Sequence, residues 1–365
     1  MSFRTNLLKA EKLLFYANWL AAAVLLASYL SAVISPQVFW PLAILGLGYP
    51  VLVAVNLVFV VYWMLRLKWR YSLVSGVSIL LGLGILLNII GLHFFADPNP
   101  KNEHIRLMTY NVRNFNPIDE LPKGEQAHRR ILHLINELQP DIIGMEEFNS
   151  RVSVFRICDS LKKTLGTDQY YFEPFIITPN DSTGLALFSK FPIVNKGVVR
   201  LSNLKNENQC IFIDVKYKNR VIRVYDFHLQ SIELDYYDYY LLKNFNAQRR
   251  AGSLKIMQKL KRGFILRSMQ VDIIRNHAAR CPYPYVFLGD FNDTPNSYTF
   301  NQMAAGMQNT FKHKGRGLGK TFNGGFAAFQ IDYILASPHF NVLSYHITPE
   351  RISDHYPVYS DLQLK

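Results

Sequence analysis

The chain has 365 residues, with 40 Lys or Arg against 27 Asp or Glu and a net charge of +13. That length holds one large domain and something beside it, and the basic balance suits an anionic partner such as nucleic acid or an acidic membrane surface. Three cysteines, Cys158, Cys210 and Cys281, with no close pair exclude a Cys-x-x-Cys zinc site and a disulfide framework.

Between Lys12 and Arg66 no side chain is charged, and between Arg70 and Asp97 the only ionisable group is His93. A bilayer core of about 30 Å takes about 20 apolar residues of helix. The pattern therefore predicts three transmembrane helices, at about 13–35, 40–65 and 71–95, with Ser35-Pro36-Gln37 between the first two. A cleaved signal peptide has one short apolar core, not three long ones in succession. No span carries Asp, Glu, Lys or Arg, so anchorage is expected rather than transport. Arg4, Lys9 and Lys12 precede the first span and Arg66, Lys68 and Arg70 follow the second. The positive-inside rule puts the N-terminus and the loop after the second span in the cytoplasm, and the chain after residue 97 on the periplasmic or extracellular side. Residues 1–97 read as an integral membrane anchor, 98–104 as a linker and 105–365 as a catalytic domain. Removing the anchor is expected to leave the chemistry intact.

After the linker, Ile105 to Tyr110 alternates like a strand ending at Asn111. Ala127, Ile131, Leu134 and Leu138 mark one helical face, stopped by Pro140, and Asp141 to Met145 leads as a strand into Glu146-Glu147. Apolar or β-branched runs follow at 184–189, 210–217, 221–229, 284–289, 331–335 and 356–363. Many strands and few helices predict an α+β sandwich of two facing sheets with helices outside. The stretch 233–275 reads as an insertion, with an aromatic and acidic face from Asp235 to Tyr240 and a basic run of Arg249, Arg250, Lys255, Lys259, Lys261, Arg262 and Arg267. Such a face suits a lipid headgroup layer or nucleic acid, and equally a solvated helix.

Glu147, Asp290, Asn292 and Asp354 stand at predicted strand ends. Carboxylates and amide oxygens suit Mg²⁺, or Mn²⁺, and such a cation neutralises a phosphate ester under attack by water. Asp332, in the apolar run Ile331-Asp332-Tyr333-Ile334, needs a partner, and His355 is the obvious one. Singly, each of these is an ordinary turn or core residue.

Taken in order, Thr109-Tyr110-Asn111, Pro140 through Glu147, Gly184-Leu185-Ala186 through Ile193, Phe227-His228-Leu229, Gly289 to Asp293, Ile331-Asp332-Tyr333 and Ser353-Asp354-His355 resemble the endonuclease/exonuclease/phosphatase (DNase I-like) superfamily, here in a membrane-anchored bacterial form. The resemblance spans about residues 103–365. It implies a four-layer α/β/β/α sandwich and a metal-dependent hydrolase acting in line, without a covalent intermediate. By the same resemblance Glu147 is the main metal ligand, Asn111 lies beside metal and phosphate, and Asp354 lies near the metal. Asp290 orients or deprotonates the water, Asn292 bonds a phosphoryl oxygen, His228 and His355 donate to the phosphate, and Asp332 sets the His355 tautomer. Two positions depart from the family pattern. Glu146 stands where many relatives have glutamine, and Asp226, on the same strand face as His228, adds a carboxylate expected to shape the site.

The expected substrate is a phosphodiester or phosphomonoester, in nucleic acid or a phospholipid headgroup, with the bilayer as a further partner and no protein partner inferred. The alternative is an inactive relative that only binds an anionic ligand or partner; the complete set of acids, amides and histidines argues against it.

Overall fold

The computed structural model describes residues 2–93, 103–118, 126–152, 155–201, 208–234, 237, 238, 240, 250–324 and 329–365. Most of the expected linker, and Arg249 of the basic run, lie outside these residues.

Two sheets form the core of residues 105–365. One runs in the order Phe340–Val342, Val358–Leu364, Ile105–Asn111, Ile142–Asn149, Ser182–Ser189, Tyr170–Ile177; the other runs Gln308–Asn309, Asp332–Ala336, Tyr285–Asp290, Arg220–His228, Gln209–Tyr217, Ile193–Val199. Alternation along the strands is what stacks the layers. Leu107, Ile142, Val224 and Leu288 face the opposite sheet. Their neighbours Met108 and Ile143 face outward onto Ile131, Leu134 and Ile135 of helix Ala127–Leu138. Tyr225 and Phe287 face outward onto Val271, Ile274 and Ala278 of helix Arg250–Ala278. Helix Ala127–Leu138 stops where Gln139 turns left-handed, at φ 47°, before Pro140. The result is the expected four-layer α/β/β/α sandwich.

In each sheet the two central strands are parallel: Ile105–Asn111 with Ile142–Asn149, and Arg220–His228 with Tyr285–Asp290. Their C-terminal ends share one edge of the sandwich, which is where ligands meet open α/β sheets in general.

Two expectations need correction. Residues 233–275 are not an insertion set apart from the compact domain, because helix Arg250–Ala278 is the outer layer of the second sheet, with Phe264, Val271 and Ile274 buried. The basic run masked that apolar stripe. Arg267, counted in the run, is fully buried against Asp293 at 2.9 Å. Lys259 pairs with buried Asp238, and Arg262 lies 3.9 Å from Glu233.

The N-terminal region also differs. Among the described residues, one helix is long and apolar enough to cross a bilayer, over Lys9–Ala32. The second expected span is broken into Pro41–Leu47 and Tyr49–Leu65, bent by 63°. The third is no single helix: Trp69–Leu81 stops at Gly82, Leu83–Leu86 adds a turn, and Ile90–Leu92 is a strand. At 1.5 Å per residue, the 13 residues of Trp69–Leu81 fall short of a bilayer core. Glycines at 82, 84 and 91 interrupt a run that composition alone presents as continuous. The helices nevertheless present apolar side chains outward, among them Leu13, Leu20, Val58, Leu65 and Leu80. Their interior holds a buried polar knot, in which Ser75 Oγ lies 2.5 Å from Asn18 Oδ1 and 2.7 Å from Asn56 Oδ1.

Gly289 sits at φ +136°, and a Cβ there would stand 2.2 Å from the Phe227 carbonyl oxygen. Gly289→Ala should destabilise the full chain by about 1–3 kcal/mol, from backbone strain and this clash. An unchanged denaturant midpoint in detergent would show that the strand end relaxes freely.

Candidate active site

The shared edge collects the acids, amides and histidines from both sheets. Asp290 is the last residue of its strand and is 1% exposed. Register pairs it with His228 on one side and Asp332 on the other. From the facing sheet, Asn111 Nδ2 donates to Asp290 Oδ2 and to Glu147 Oε1, each at 3.2 Å. His228 Nε2 lies 3.8 Å from Glu147 and 3.7 Å from Asp290, and His355 Nε2 lies 3.7 Å from Asp290 on its other flank. Asp332 holds His355 Nδ1 with both oxygens at 3.0 Å, so Nε2 is the nitrogen presented to the site.

Local backbone strain aims these groups. The strand Ile142–Asn149 changes register between Met145 and Phe148, and Glu147 adopts φ 48°. A bulge of this kind turns a side chain away from simple alternation. Glu146 is driven into the interior with 0% exposure, while Glu147 emerges into the site. Asn292 takes φ 52°, its N–H donates to Asp290 Oδ1 at 2.8 Å, and its side-chain amide donates to Leu229 O at 2.9 Å. A second amide hydrogen on Asn292 remains to donate elsewhere. Arg113, Asn114 and Phe115 are left-handed as well. Such outliers concentrate where a site over-determines its backbone.

The geometry resolves which of the paired acids serves the site. Glu146 Oε1 accepts from Thr109 Oγ1 at 2.5 Å, and its carboxyl lies against that of Asp226, both fully buried. Burial raises both groups above the usual carboxylate range, and their mutual repulsion raises Glu146 further. Two carboxyls so placed resist ionising together. Asp226 thus stands beneath the site in the layer between the sheets, beside Gly144 and away from an open surface. It does not add negative charge where substrate would sit, as alternation with His228 had suggested.

Burial alone would lower the His355 imidazole, but Asp332 and Asp290 beside it raise it to about 10. Burial also lifts Asp290 above its usual value, against the two histidines that pull it down. His355 is therefore an imidazolium through neutral pH, a charged donor facing an acid.

A hard divalent cation fits this donor set, since Glu147 and Asp290 bring two carboxylates together beside the Asn111 amide and two imidazoles. Asn111 differs from expectation, because its Oδ1 accepts from Arg113 N at 3.0 Å and its Nδ2 faces the acids. As placed, it holds the carboxylates instead of offering an oxygen. Asp354 faces Arg113, with Oδ2 3.6 Å from Nε, at the partly exposed rim. Asp290, Asp332 and His355 also cluster tightly enough for a metal, but both Asp332 oxygens are occupied by His355.

Sequence reading gave no role to three supporting residues. Arg113 meets Asp354, Ser353 Oγ donates to Asn111 O at 2.8 Å, and the Phe322 ring packs edge-on to His355 at 5.0 Å. Only Ser353 carried a signal, its place before Asp354-His355.

The Asp332→Asn variant tests the charge relay of this corner. By NMR, the His355 titration should fall from about 10 toward the ordinary 6.5. The raised value stabilises folding below 6.5, and that contribution disappears as pH climbs through about 10. An unmoved titration would remove Asp332 as the cause.

Residues 108–355 match the model of the Endonuclease/Exonuclease/phosphatase family, and residues 11–89 match a domain of unknown function. No curated protein matches the chain. Among solved structures, an endonuclease/exonuclease/phosphatase from Beutenbergia cavernae is 22% identical, with 72% of each chain covered and a TM-score of 0.52. The human Nocturnin catalytic domain with bound sulfate is 20% identical over 75% of this chain and 98% of its own, at a TM-score of 0.52. A mannosyl-6-phosphatase from Bacteroides thetaiotaomicron is 16% identical over 71% of this chain and 100% of its own, at 0.50. At these identities the likeness is one of fold.

Proposed function

The chain belongs to the endonuclease/exonuclease/phosphatase family, and from that premise we propose a membrane-anchored, divalent-metal-dependent phosphoesterase that hydrolyses its substrate by in-line attack of water. The observation that carries this reading is the convergence of Glu147, Asn111, His228 and His355 on the buried Asp290.

Each residue then has a task set by its position. Glu147 would hold Mg²⁺ or Mn²⁺, with Asn111 fixing its carboxylate; such a cation, when bound, neutralises charge on the phosphoryl oxygens. Asp290 lies between two imidazole Nε2 atoms, each at 3.7 Å, placed to orient a water and take its proton. The His355 imidazolium, held by Asp332, donates to the phosphate as negative charge develops. His228 donates from the opposite flank, and Asn292 uses its remaining amide hydrogen. Asp354 and Arg113 stand at the rim, where a leaving group would depart.

Anchorage rests on the Lys9–Ala32 helix and the apolar exterior of the helical segment. Orientation no longer depends on counting three straight spans. Glu11 pairs with Arg66 and Lys68 at one end of the segment. At the other end Ser31 meets Asn296 and Ile90–Leu92 pairs with Arg316–Leu318. The basic end and the catalytic domain are thus opposite, which supports a cytoplasmic N-terminus and a catalytic domain on the periplasmic or extracellular face. A fully extended chain spans at most about 14 Å over four residues, so Asn292 lies close to the helix end that Asn296 touches. That closeness favours a phosphate ester in the headgroup layer over free nucleic acid.

The full chain in detergent or proteoliposomes should cleave a phosphate ester with Mg²⁺ and stop on chelation. Asp290→Ala and Glu147→Ala should each lower turnover by about 10²–10⁴-fold. The substrates to offer are liposomes carrying phosphoinositide or sphingomyelin, duplex DNA and single-stranded RNA. Preference for nucleic acid that collapses with salt would make the chain an anchored nuclease, and normal turnover in folded Asp290→Ala would remove the mechanism.

A further inference from the structure

Two of the contacts between the helical segment and the catalytic domain fall on loops of the catalytic edge, and a further one joins Gln37 to Asp272 of the outer helix at 3.5 Å. At the first, Ser31 Oγ lies 2.7 Å from Asn296 O, and Asn296 Nδ2 donates to Ser28 O at 3.2 Å. All three residues are buried, with exposures of 0% for Ser28, 2% for Ser31 and 1% for Asn296. Gly46 closes over the contact: a Cβ there would stand 2.3 Å from Ser31 Oγ and 3.2 Å from Asn296 O. Asn296 ends the loop that begins at Asp290 and carries Asn292. The middle of that loop is pinned from the sandwich side, by Arg267 on Asp293 and by the Tyr333 hydroxyl, which donates to Asp293 O at 3.0 Å.

At the second place, strand Ile90–Leu92 pairs antiparallel with Arg316–Leu318, Gly91 opposite Gly317. His93 N donates to Gly315 O at 3.2 Å, and Gly319 N donates to Ile89 O at 3.4 Å. The loop so held runs directly into the histidine side of the site. Thr321 Oγ1 accepts from Asp332 N at 3.1 Å, Phe322 bridges His355 and packs on its ring, and Asn323 N donates to Asp354 O at 2.7 Å.

We propose that the helical segment is a positioning element of the active site, with Ser31 and Asn296 setting the Asp290–Asn292 loop and Ile90–Leu92 setting the loop behind His355. The proposal rests on the phosphoesterase reading above and goes beyond it, since a detachable anchor has no such duty. It reverses the expectation that deleting residues 1–97 leaves the chemistry intact. Reacting groups must be held within fractions of an ångström, and a displacement of about 1 Å costs about 10²-fold in rate. The first loop carries Asn292 four positions before Asn296, and the second carries Phe322, packed on His355, four positions after Leu318, so a shift at one end moves the other.

Two wedges in the full chain test it without touching the site. Gly46→Val pushes Ser31 from Asn296, and Gly91→Val puts a side chain where a Cβ alone would be 2.2 Å from Gly315 O. Each should lower kcat by about tenfold or more with KM within about twofold, because the substrate-facing surface is unchanged. Ser31→Ala, which removes only a hydroxyl, should do the same to a smaller degree, and serves if a wedge fails to fold. Amide hydrogen exchange over 291–297 and 316–323 should speed up in each variant while the central strands stay protected. Wild-type kcat in folded variants whose loops exchange faster would overturn the proposal, as would unchanged exchange. If the wild-type chain cleaves no phosphate ester, the functional reading fails on its own. The exchange rates then decide whether the helices set these loops.

Discussion

A single buried carboxylate organises this molecule. Asp290 sits at the end of a central strand with 1% exposure, in a position where a charge is costly unless it is partnered. Its partners come from everywhere: His228 from the parallel neighbour, His355 through Asp332 of the antiparallel neighbour, and Asn111 from the opposite sheet. A register slip of one residue in any of these strands would turn its site residue to the wrong face. The ladders, the sheet packing and the bulge at Glu147 are therefore one constraint seen at three places.

Beneath that charge the sandwich carries a second acidic layer which never reaches solvent. Glu146 and Asp226 face each other between the sheets, with Thr109 as donor and Gly144 leaving room for them. Burial and mutual repulsion disfavour two charges there, so the pair carries less negative charge than two free carboxylates would. The cost of keeping it is met by a large apolar core on three levels, two outside the sheets and one between them.

The helical segment follows a different rule. Its exterior is apolar and its interior is tied by Asn18, Asn56 and Ser75, which bond one another while the two amides donate to the backbone oxygens of Tyr71 and Ala21. That knot fixes how three helices pack, and the packing carries the turn at Ser31 and the strand at Ile90–Leu92 to the catalytic edge. The helical segment and the sandwich are joined through hydrogen bonds and a short sheet as well as through the intervening chain.

Much of this was legible in the amino-acid order. Period-2 runs marked the strands, Pro140 marked the helix stop, and the acids and histidines at strand ends marked the site, because those signals are local and chemical. Long-range placement was not legible. The Glu146–Glu147 pair looks symmetric until a bulge sends one inward. Asp226 and His228 share a strand face, yet one is covered by the facing sheet and the other is not. The basic residues of 250–267 hid the buried stripe of the outer helix, and the glycines at 82, 84 and 91 were outweighed by the surrounding leucines and isoleucines. The sequence by itself determined the layers, the apolar N-terminal segment and the kinds of side chain available for chemistry, since each depends on near neighbours along the chain. Only the tertiary structure decided which acid faces the site and that the helices hold its loops, since those outcomes depend on contacts between residues hundreds of positions apart.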